Sequence, residues 1–102
     1  MKNWTFITKH GLVLLYISQN SHCTTREIAN NIDATERTVH RILVDLEEEG
    51  YITRLRTGRG NIYQIDHQSQ LKNGLTMNLP VGDLLGLLSG KGKRKSPTQQ
   101  QK

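Results

Sequence analysis

The chain has 102 residues, which is enough for one small domain with an arm but not for two independent cores. Aromatic residues make up only 5%, so a large aromatic ligand cage or base-stacking platform is excluded. The single cysteine, Cys23, excludes an internal disulfide and a two-cysteine zinc site. The apolar run 11–17 is much shorter than the about 20 residues that span a bilayer, so we expect a soluble, cytoplasmic protein.

The formal net charge of +5 is located in the C-terminal tail. Residues 90–102 carry five basic side chains and no acidic one, whereas residues 1–89 carry nine of each. The overall basicity is therefore weak evidence for nucleic-acid binding, and the positions of the charges in the body of the chain matter more. We predict that the tail is disordered and adds only a salt-sensitive, sequence-independent attraction to anionic partners.

Two helices are predicted in the first third of the chain. The first begins at the N-cap Thr8 and runs to about Asn20, and its apolar residues surround the helix axis, which is typical of a central, covered helix. The segment 24–27 (Thr-Thr-Arg-Glu) matches the capping box that starts a second helix. This helix is expected to stop near Asn31, before a tight turn in which Asp33 adopts the left-handed conformation.

A third helix is predicted from the N-cap Thr35 to Glu49, with Gly50 just past its end. At 100° per residue, one face is apolar and consists of Val39, Ile42, Leu43 and Leu46. The opposite face carries Arg37, Arg41, Val44 and Glu48, with His40 and Asp45 beside it. Basic side chains therefore occupy the first half of this helix, and the acidic residues 47–49 occupy its end.

A β-hairpin is predicted after Gly50, where the apolar period changes to two. The alternating segments 53–57 and 62–65 are joined by residues 58–61, which contain two glycines. The alternation is expected to place Leu55, Tyr63 and Ile65 inward and Arg54 and Arg56 outward. Residues 51–65 contain three arginines, including Arg59 at the tip, and no acidic residue.

The rest of the chain divides into a polar segment 66–78, a leucine-rich element 79–88 and the basic tail. The leucine-rich element is expected to form a short helix that needs a packing partner. We therefore expect domains at residues 1–66, 67–89 and 90–102. A group of apolar residues has two alternative roles: it forms the surface of a homodimer, or it caps the chain's own domain. These residues are Trp4, Phe6, Leu84, Leu85, Leu87 and Leu88.

This order of elements is that of a winged helix-turn-helix, a mostly helical α+β fold with a three-helix core and a C-terminal β-hairpin wing. The segments 25–29, 35–39, 46–52 and 58–63 resemble winged helix-turn-helix transcriptional regulators of the broad MarR/ArsR-like type, over roughly residues 5–66. The element 81–85 is similar to the C-terminal piece of small, one-domain bacterial members. Two features depart from the pattern: Asp33 stands where the turn usually has glycine, and the paired cysteines or clustered histidines of metal-sensing members are absent.

The resemblance and the physics of groove recognition together imply sequence-specific binding to double-stranded DNA. The major groove admits one helix, whose N-terminal half reaches the base edges. The start of the second helix resembles the phosphate-contacting part of the family, and the wing is expected to lie along the flanking backbone or enter the minor groove. The predicted DNA-binding residues are Thr25, Arg26, Thr35, Glu36, Arg37, Thr38, His40, Arg41, Arg54, Arg56 and Arg59.

The same basic residues also have explanations other than DNA binding, and these are less specific. The arginines of the third helix are otherwise a solvated face, and those of the hairpin otherwise protect a strand edge from aggregation. A winged helix can also serve as a protein-interaction module that binds no nucleic acid. We find no acid–base pair, nucleophile motif, phosphate loop or metal-ligand spacing, so we expect neither an enzyme nor a cofactor, and no evident small-molecule effector.

Overall fold

A computed structural model describes residues 6–58, 60–71, 75 and 79–89 of the chain. It divides into two units, of which the first ends at Ile65 and the second begins at Asp66. In chain order the elements are α1 (Lys9–Gln19), β1 (His22–Cys23), α2 (Thr25–Ile32), α3 (Glu36–Glu48), β2 (Ile52–Thr57), β3 (Gly60–Ile65) and α4 (Val81–Leu88).

Threonine side chains start the first three helices. The Thr8 hydroxyl accepts a hydrogen bond from the Gly11 amide at 3.2 Å, and the Thr35 hydroxyl accepts one from the Thr38 amide at 3.1 Å. At the start of α2 the capping box is complete, because Glu27 both donates its amide to the Thr24 hydroxyl and accepts from the Thr24 amide. The three predicted N-caps are confirmed, and each satisfies amides that the helix itself leaves unpaired.

The ends of α2 and α3 are set by residues in the left-handed conformation. Asp33 has φ 59° and ψ 56°, which confirms the predicted turn and brings α3 back across α2. Gly50 has φ 83°, and the amides of Gly50 and Tyr51 donate to the carbonyls of Glu47 and Leu46, respectively. This is the Schellman arrangement, in which a glycine releases the chain from the helix without strain, and here it directs the chain into the hairpin.

The core of the first unit lies where the three helices meet. α1 packs against α2 and α3, and α2 packs against α3. Every residue predicted for the apolar face of α3 is buried, and α1 is covered on several sides as expected. The buried helical side chains are Val13, Leu14, Ile17, Ile28, Ala29, Ile32, Val39, Ile42, Leu43 and Leu46.

The three strands form one antiparallel sheet in the order β1-β3-β2. The predicted hairpin is confirmed, but its strands are longer than expected, since Thr57 pairs with Gly60 and only residues 58–59 join them. This register pairs Arg54 with Tyr63, which is buried, and Leu55 with Ile62. The predicted facing of β2 is therefore wrong: Leu55 is 65% exposed, and Arg54 lies on the inner face. Arg56, two residues farther along the strand, shares the face of Arg54 but is exposed near the end of the hairpin.

The second unit contains the predicted leucine-rich helix, α4. No side chain caps this helix; its first amides, on Val81 and Gly82, donate instead to the carbonyls of Ser69 and His67 at 2.7 and 3.0 Å. A Cβ on Gly82 would lie 2.7 Å from the His67 Cβ, so this close approach requires glycine. Within the described ranges, no helix is both long and apolar enough to cross a membrane.

The predicted apolar surface of α4 needs one correction. Leu85 is buried at 5% exposure and is not available to a partner, whereas Leu87 is 64% exposed. Leu84 and Leu88 are half-buried, and Phe6, near the other end of the chain, is exposed. Trp4 and the tail 90–102 lie outside the described residues.

Candidate nucleic-acid interface

The outer face of α3 (Arg37, His40 and Arg41) is exposed, as the helical period predicts. It is opposite the buried face because Val39, Ile42 and Leu43 are held in the core. Among the described residues, neither Arg37 nor Arg41 makes an ion pair. Both guanidinium groups are therefore free to bind an anion or a base edge.

The first turn of α3 is held by the side chains of Thr35 and Thr38. The Thr35 hydroxyl donates to the Thr38 hydroxyl at 3.0 Å while it accepts from the Thr38 amide. Thr35 is exposed, and Thr38 is half-buried. The pair fixes the direction in which the helix begins, and with it the positions of Arg37 and Arg41.

The start of α2 is connected to the start of α3 by Glu36. Its carboxylate accepts from the Thr25 hydroxyl at 3.5 Å and from Arg26 Nε at 3.4 Å. The Arg26–Glu36 pair is well exposed, at 78% and 52% of the two side chains. A long, solvated pair of this kind contributes little stability, so Arg26 can release the carboxylate at small cost and turn toward a phosphate.

Arg54 occupies a place that the sequence did not predict. Its guanidinium donates to Glu47 Oε1 at 2.8 Å, and the two side chains are only 18% and 32% exposed. Glu47 is in the last turn of α3 and Arg54 is in β2, so this ion pair connects the helix to the wing. Arg54 thus holds the wing in position, because its guanidinium is directed at α3 and not at solvent.

On the inner face of the wing, Arg54 is followed by Tyr63 and Asn61, which contact each other. The Tyr63 ring is buried beside Arg54, and its hydroxyl accepts from Asn61 Nδ2 at 3.1 Å. Burial raises the pKa of Tyr63, and the Asn61 hydrogen bond and the Arg54 charge partly oppose that shift. Asn61 and Arg56 are cross-strand partners farther toward the tip of the hairpin, and Arg56 is exposed.

A cleft of about 390 Å³ lies between the wing and the helices, and we call it the under-wing cleft. It brings together residues of the α2 start, of α3 and of both strands of the wing. The lining residues are Thr24, Thr25, His40, Arg54, Arg56, Thr57, Gly58, Gly60 and Asn61. Four predicted site residues, Thr25, His40, Arg54 and Arg56, thus meet in one place, whereas Arg59 lies outside the described residues.

Cys23 is buried in β1, the short strand that pairs with β3 of the wing. Burial, with a smaller contribution from Glu27, raises the pKa of the thiol to about 11. The thiol is therefore protonated near neutral pH and poorly suited to bind a metal. Within the described ranges, no three His, Cys, Asp or Glu side chains are grouped to hold a metal ion.

Three parts of this surface were missed by reasoning from the sequence: the Glu47–Arg54 pair, the Tyr63–Asn61 hydrogen bond and the under-wing cleft. The hairpin register could have indicated the first, because a two-residue turn necessarily pairs Arg54 with Tyr63. The Tyr63–Asn61 hydrogen bond joins side chains two residues apart on one face of β3, which the period of two could also have indicated. The under-wing cleft depends on residues that are distant in the sequence, and no local pattern indicates it.

Comparison with known proteins agrees with this geometry. Residues 8–53 match the family model described as winged helix-turn-helix DNA-binding, a segment that covers α1 to α3 and the start of the wing. The chain is also similar to a riboflavin kinase of Thermoplasma acidophilum, at 38% identity over 48 residues. That match covers 47% of this chain but only 22% of the kinase, and it lies in the helix-turn-helix region. The first unit therefore has the winged helix-turn-helix fold, and residues 8–53 are similar to the DNA-binding family of that fold.

Proposed function

We propose that the protein is a sequence-specific regulator of transcription that binds double-stranded DNA, of the small MarR/ArsR-like type. The observation that carries the proposal is the free, outward position of Arg37 and Arg41 on α3, next to an arginine-bearing wing. A helix that displays cations on its first half and buries its opposite face has the form that the major groove accepts. Cytoplasmic localisation follows from the proposal, since the DNA is there.

In the proposed complex, α3 lies in the major groove. Arg37 is placed to donate two hydrogen bonds to O6 and N7 of a guanine, and the Thr38 methyl is placed to contact thymine. Arg41, one turn farther along, reaches a second base or the adjacent phosphate. These contacts specify sequence, whereas Thr25, Arg26 and the wing position the protein on the backbone.

The acidic end of α3 is compatible with this arrangement. Glu47 is paired with Arg54, so its charge is compensated where the helix meets the wing. Glu36 is the carboxylate nearest the start of the helix, and its pairing with Arg26 compensates it in the free protein. The wing presents Arg56, which is exposed, to the flanking DNA.

We further propose that the protein works as a homodimer and acts by binding rather than by catalysis. The exposed Leu87 supports a partner surface on α4, which Leu84 and Leu88 extend, and Phe6 is a separate exposed apolar side chain of the first unit. A symmetric dimer places two recognition helices on half-sites about 34–36 Å apart, one turn of the duplex. The similarity to an enzyme covers about a fifth of that enzyme's length and does not extend beyond its helix-turn-helix region.

Selection of bound sequences from a random duplex pool tests the proposal. The full chain is expected to enrich one short motif, and an inverted repeat with one-turn spacing would indicate the dimer. Recovery of an unchanged random pool, with affinity set only by salt concentration, would contradict sequence-specific recognition.

A second candidate, a protein-interaction module without DNA binding, is favoured by one observation. Leu55 is 65% exposed on the outer face of the wing, next to the half-buried Ile62. On this hypothesis, substitution of Leu55 by Thr abolishes binding to a partner protein, and the selection experiment recovers no motif. Enrichment of a DNA motif that is unchanged by the substitution would argue against it.

A further inference from the structure

The under-wing cleft has a charge pattern that differs from that of the surrounding surface. Two arginines and a histidine line it, and none of its described lining residues is acidic. Three carboxylates adjoin the cleft and are already engaged. Glu47 binds Arg54 at 2.8 Å, Glu36 binds Arg26 and the lining Thr25, and Glu27 accepts from the Thr24 amide. Arg56, in contrast, makes no ion pair among the described residues, so its charge is available within the cleft.

The walls of the cleft are fixed. The Thr57 hydroxyl donates to the Gly60 carbonyl at 3.1 Å and lies 3.2 Å from His22 Nε2. A Cβ on Gly60 would lie 2.9 Å from the Cys23 carbonyl oxygen, so glycine allows the wing tip to sit close to β1. Because these contacts order the backbone on the wing side of the cleft, filling the cleft mainly costs the side-chain entropy of the exposed Arg56.

The donors in the cleft are suited to tetrahedral oxyanions. A guanidinium presents a planar fork of N–H groups that matches two phosphate oxygens, and Arg56 carries this group on the exposed edge. The Thr25 and Thr57 hydroxyls already donate to Glu36 and to the Gly60 carbonyl. The neutral donors left around the same space are the Thr24 hydroxyl and the second Nδ2 hydrogen of Asn61. The volume of about 390 Å³ is within the range of small-ligand sites, but the polar lining is unsuited to an apolar molecule.

We infer that the under-wing cleft is a binding site for a phosphoryl group, with Arg56 as its principal cation. The group has two possible sources: a backbone phosphate of DNA, which rests on the proposed function, or a free phosphate-bearing small molecule. Arg54 acts as a positioning residue, because its bond to Glu47 holds the wing side of the cleft against α3.

Titration of the full-length chain with inorganic pyrophosphate tests the inference, monitored by NMR shifts of backbone amides at constant ionic strength. Saturable shifts are expected at Thr25, His40, Arg56 and Gly60, with none in the buried part of α1. Arg56→Gln is expected to weaken binding about tenfold, equivalent to ~1.4 kcal/mol. Lys9→Gln removes an equal charge from α1, outside the cleft, and should leave the binding unchanged. Equal weakening by both variants, or shifts spread over all basic residues, would overturn the inference.

A second arm identifies the source of the phosphoryl group. If the cleft holds a DNA phosphate, pyrophosphate competes with duplex and Arg56→Gln lowers the salt slope of DNA binding by about 0.9. If it holds a free ligand, Arg56→Gln loses pyrophosphate binding but retains the wild-type salt slope. Failure of the proposed function gives a third pattern, in which no duplex is bound and pyrophosphate still binds in the cleft.

Discussion

The ion pair between Glu47 and Arg54 is the contact on which the position of the wing most depends. Its 2.8 Å distance and the low exposure of both side chains place it between a surface pair and a buried one. Hydrogen bonds to charged groups contribute about 1.5–3 kcal/mol, and exposed pairs about 0.2–1 kcal/mol. For this partly solvated pair we therefore expect a coupling free energy of about 1–2 kcal/mol.

A double-mutant cycle measures that coupling directly. The substitutions Glu47→Gln and Arg54→Met remove the charges while they retain most of the side-chain volume, and urea unfolding at neutral pH gives the free energy of each variant. Glu47→Gln alone is expected to lower the melting temperature by about 5–10 °C, as ~1 kcal/mol corresponds to roughly 4–8 °C in a domain of this size.

The Arg26–Glu36 pair provides a matched control in the same unit. At 3.4 Å, with both side chains largely solvated, it should give a coupling below about 0.5 kcal/mol in the cycle of Arg26→Met with Glu36→Gln. Added salt should reduce this small coupling more than that of Glu47 with Arg54, since exposed charges are screened more strongly. Equal couplings in the two cycles would refute the reasoning that burial makes the Glu47–Arg54 pair structural.

Three further predictions concern stability. Gly82→Ala should disrupt the N-terminal turn of α4, since the new Cβ would lie 2.7 Å from the His67 Cβ. Gly86→Ala should instead stabilise the helix by about 0.5–1 kcal/mol, because a Cβ there would meet nothing within 4 Å. Amide exchange in α4 measures both effects. The free energy of unfolding should decrease between pH 9 and about 11, because the raised pKa of Cys23 favours the neutral thiol in the fold, and Cys23→Ala should reduce that decrease. Leu55→Thr should change the free energy of unfolding by less than about 0.5 kcal/mol, as the side chain is mostly exposed.

Each of these has an outcome that contradicts it. Similar exchange rates in the two glycine variants would show that the approach to His67 does not require glycine. An identical alkaline slope in wild type and Cys23→Ala would show that the thiol is not the group responsible. A loss of 2 kcal/mol or more in Leu55→Thr, of the order expected for a buried leucine, would favour the original prediction that Leu55 faces the core.

The helices were predictable because their signals are local. The side-chain caps at Thr8, Thr24 and Thr35 bond to amides three residues away, and Gly50 ends α3 by its own backbone preference. The exposure of the arginines on α3 follows from the helical period once the apolar face is assigned. Interactions within one turn of chain are encoded by neighbouring residues, so their pattern in the sequence was sufficient.

The wing and α4 were only partly predictable because their packing depends on distant residues. Alternation alone suggested that Leu55 is buried, but the two-residue connection sets a register in which Arg54 shares the inner face with Tyr63. Glu47 then supplies the partner that allows an arginine to lie there. The helical period places Leu85 and Leu87 on opposite faces of α4, but which of the two faces is covered depends on distant residues.

Recognition of DNA by α3 is tested most directly by the affinity and sequence preference of Arg37→Ala and Arg41→Ala for the duplex selected by the wild-type chain. Loss of a base contact should weaken binding by about 1–3 kcal/mol and relax the preference at the contacted position. Lys9→Ala removes the same charge from α1, where Lys9 is exposed, and should leave both properties nearly unchanged. Wild-type affinity and preference in both arginine variants would show that α3 does not bind the bases.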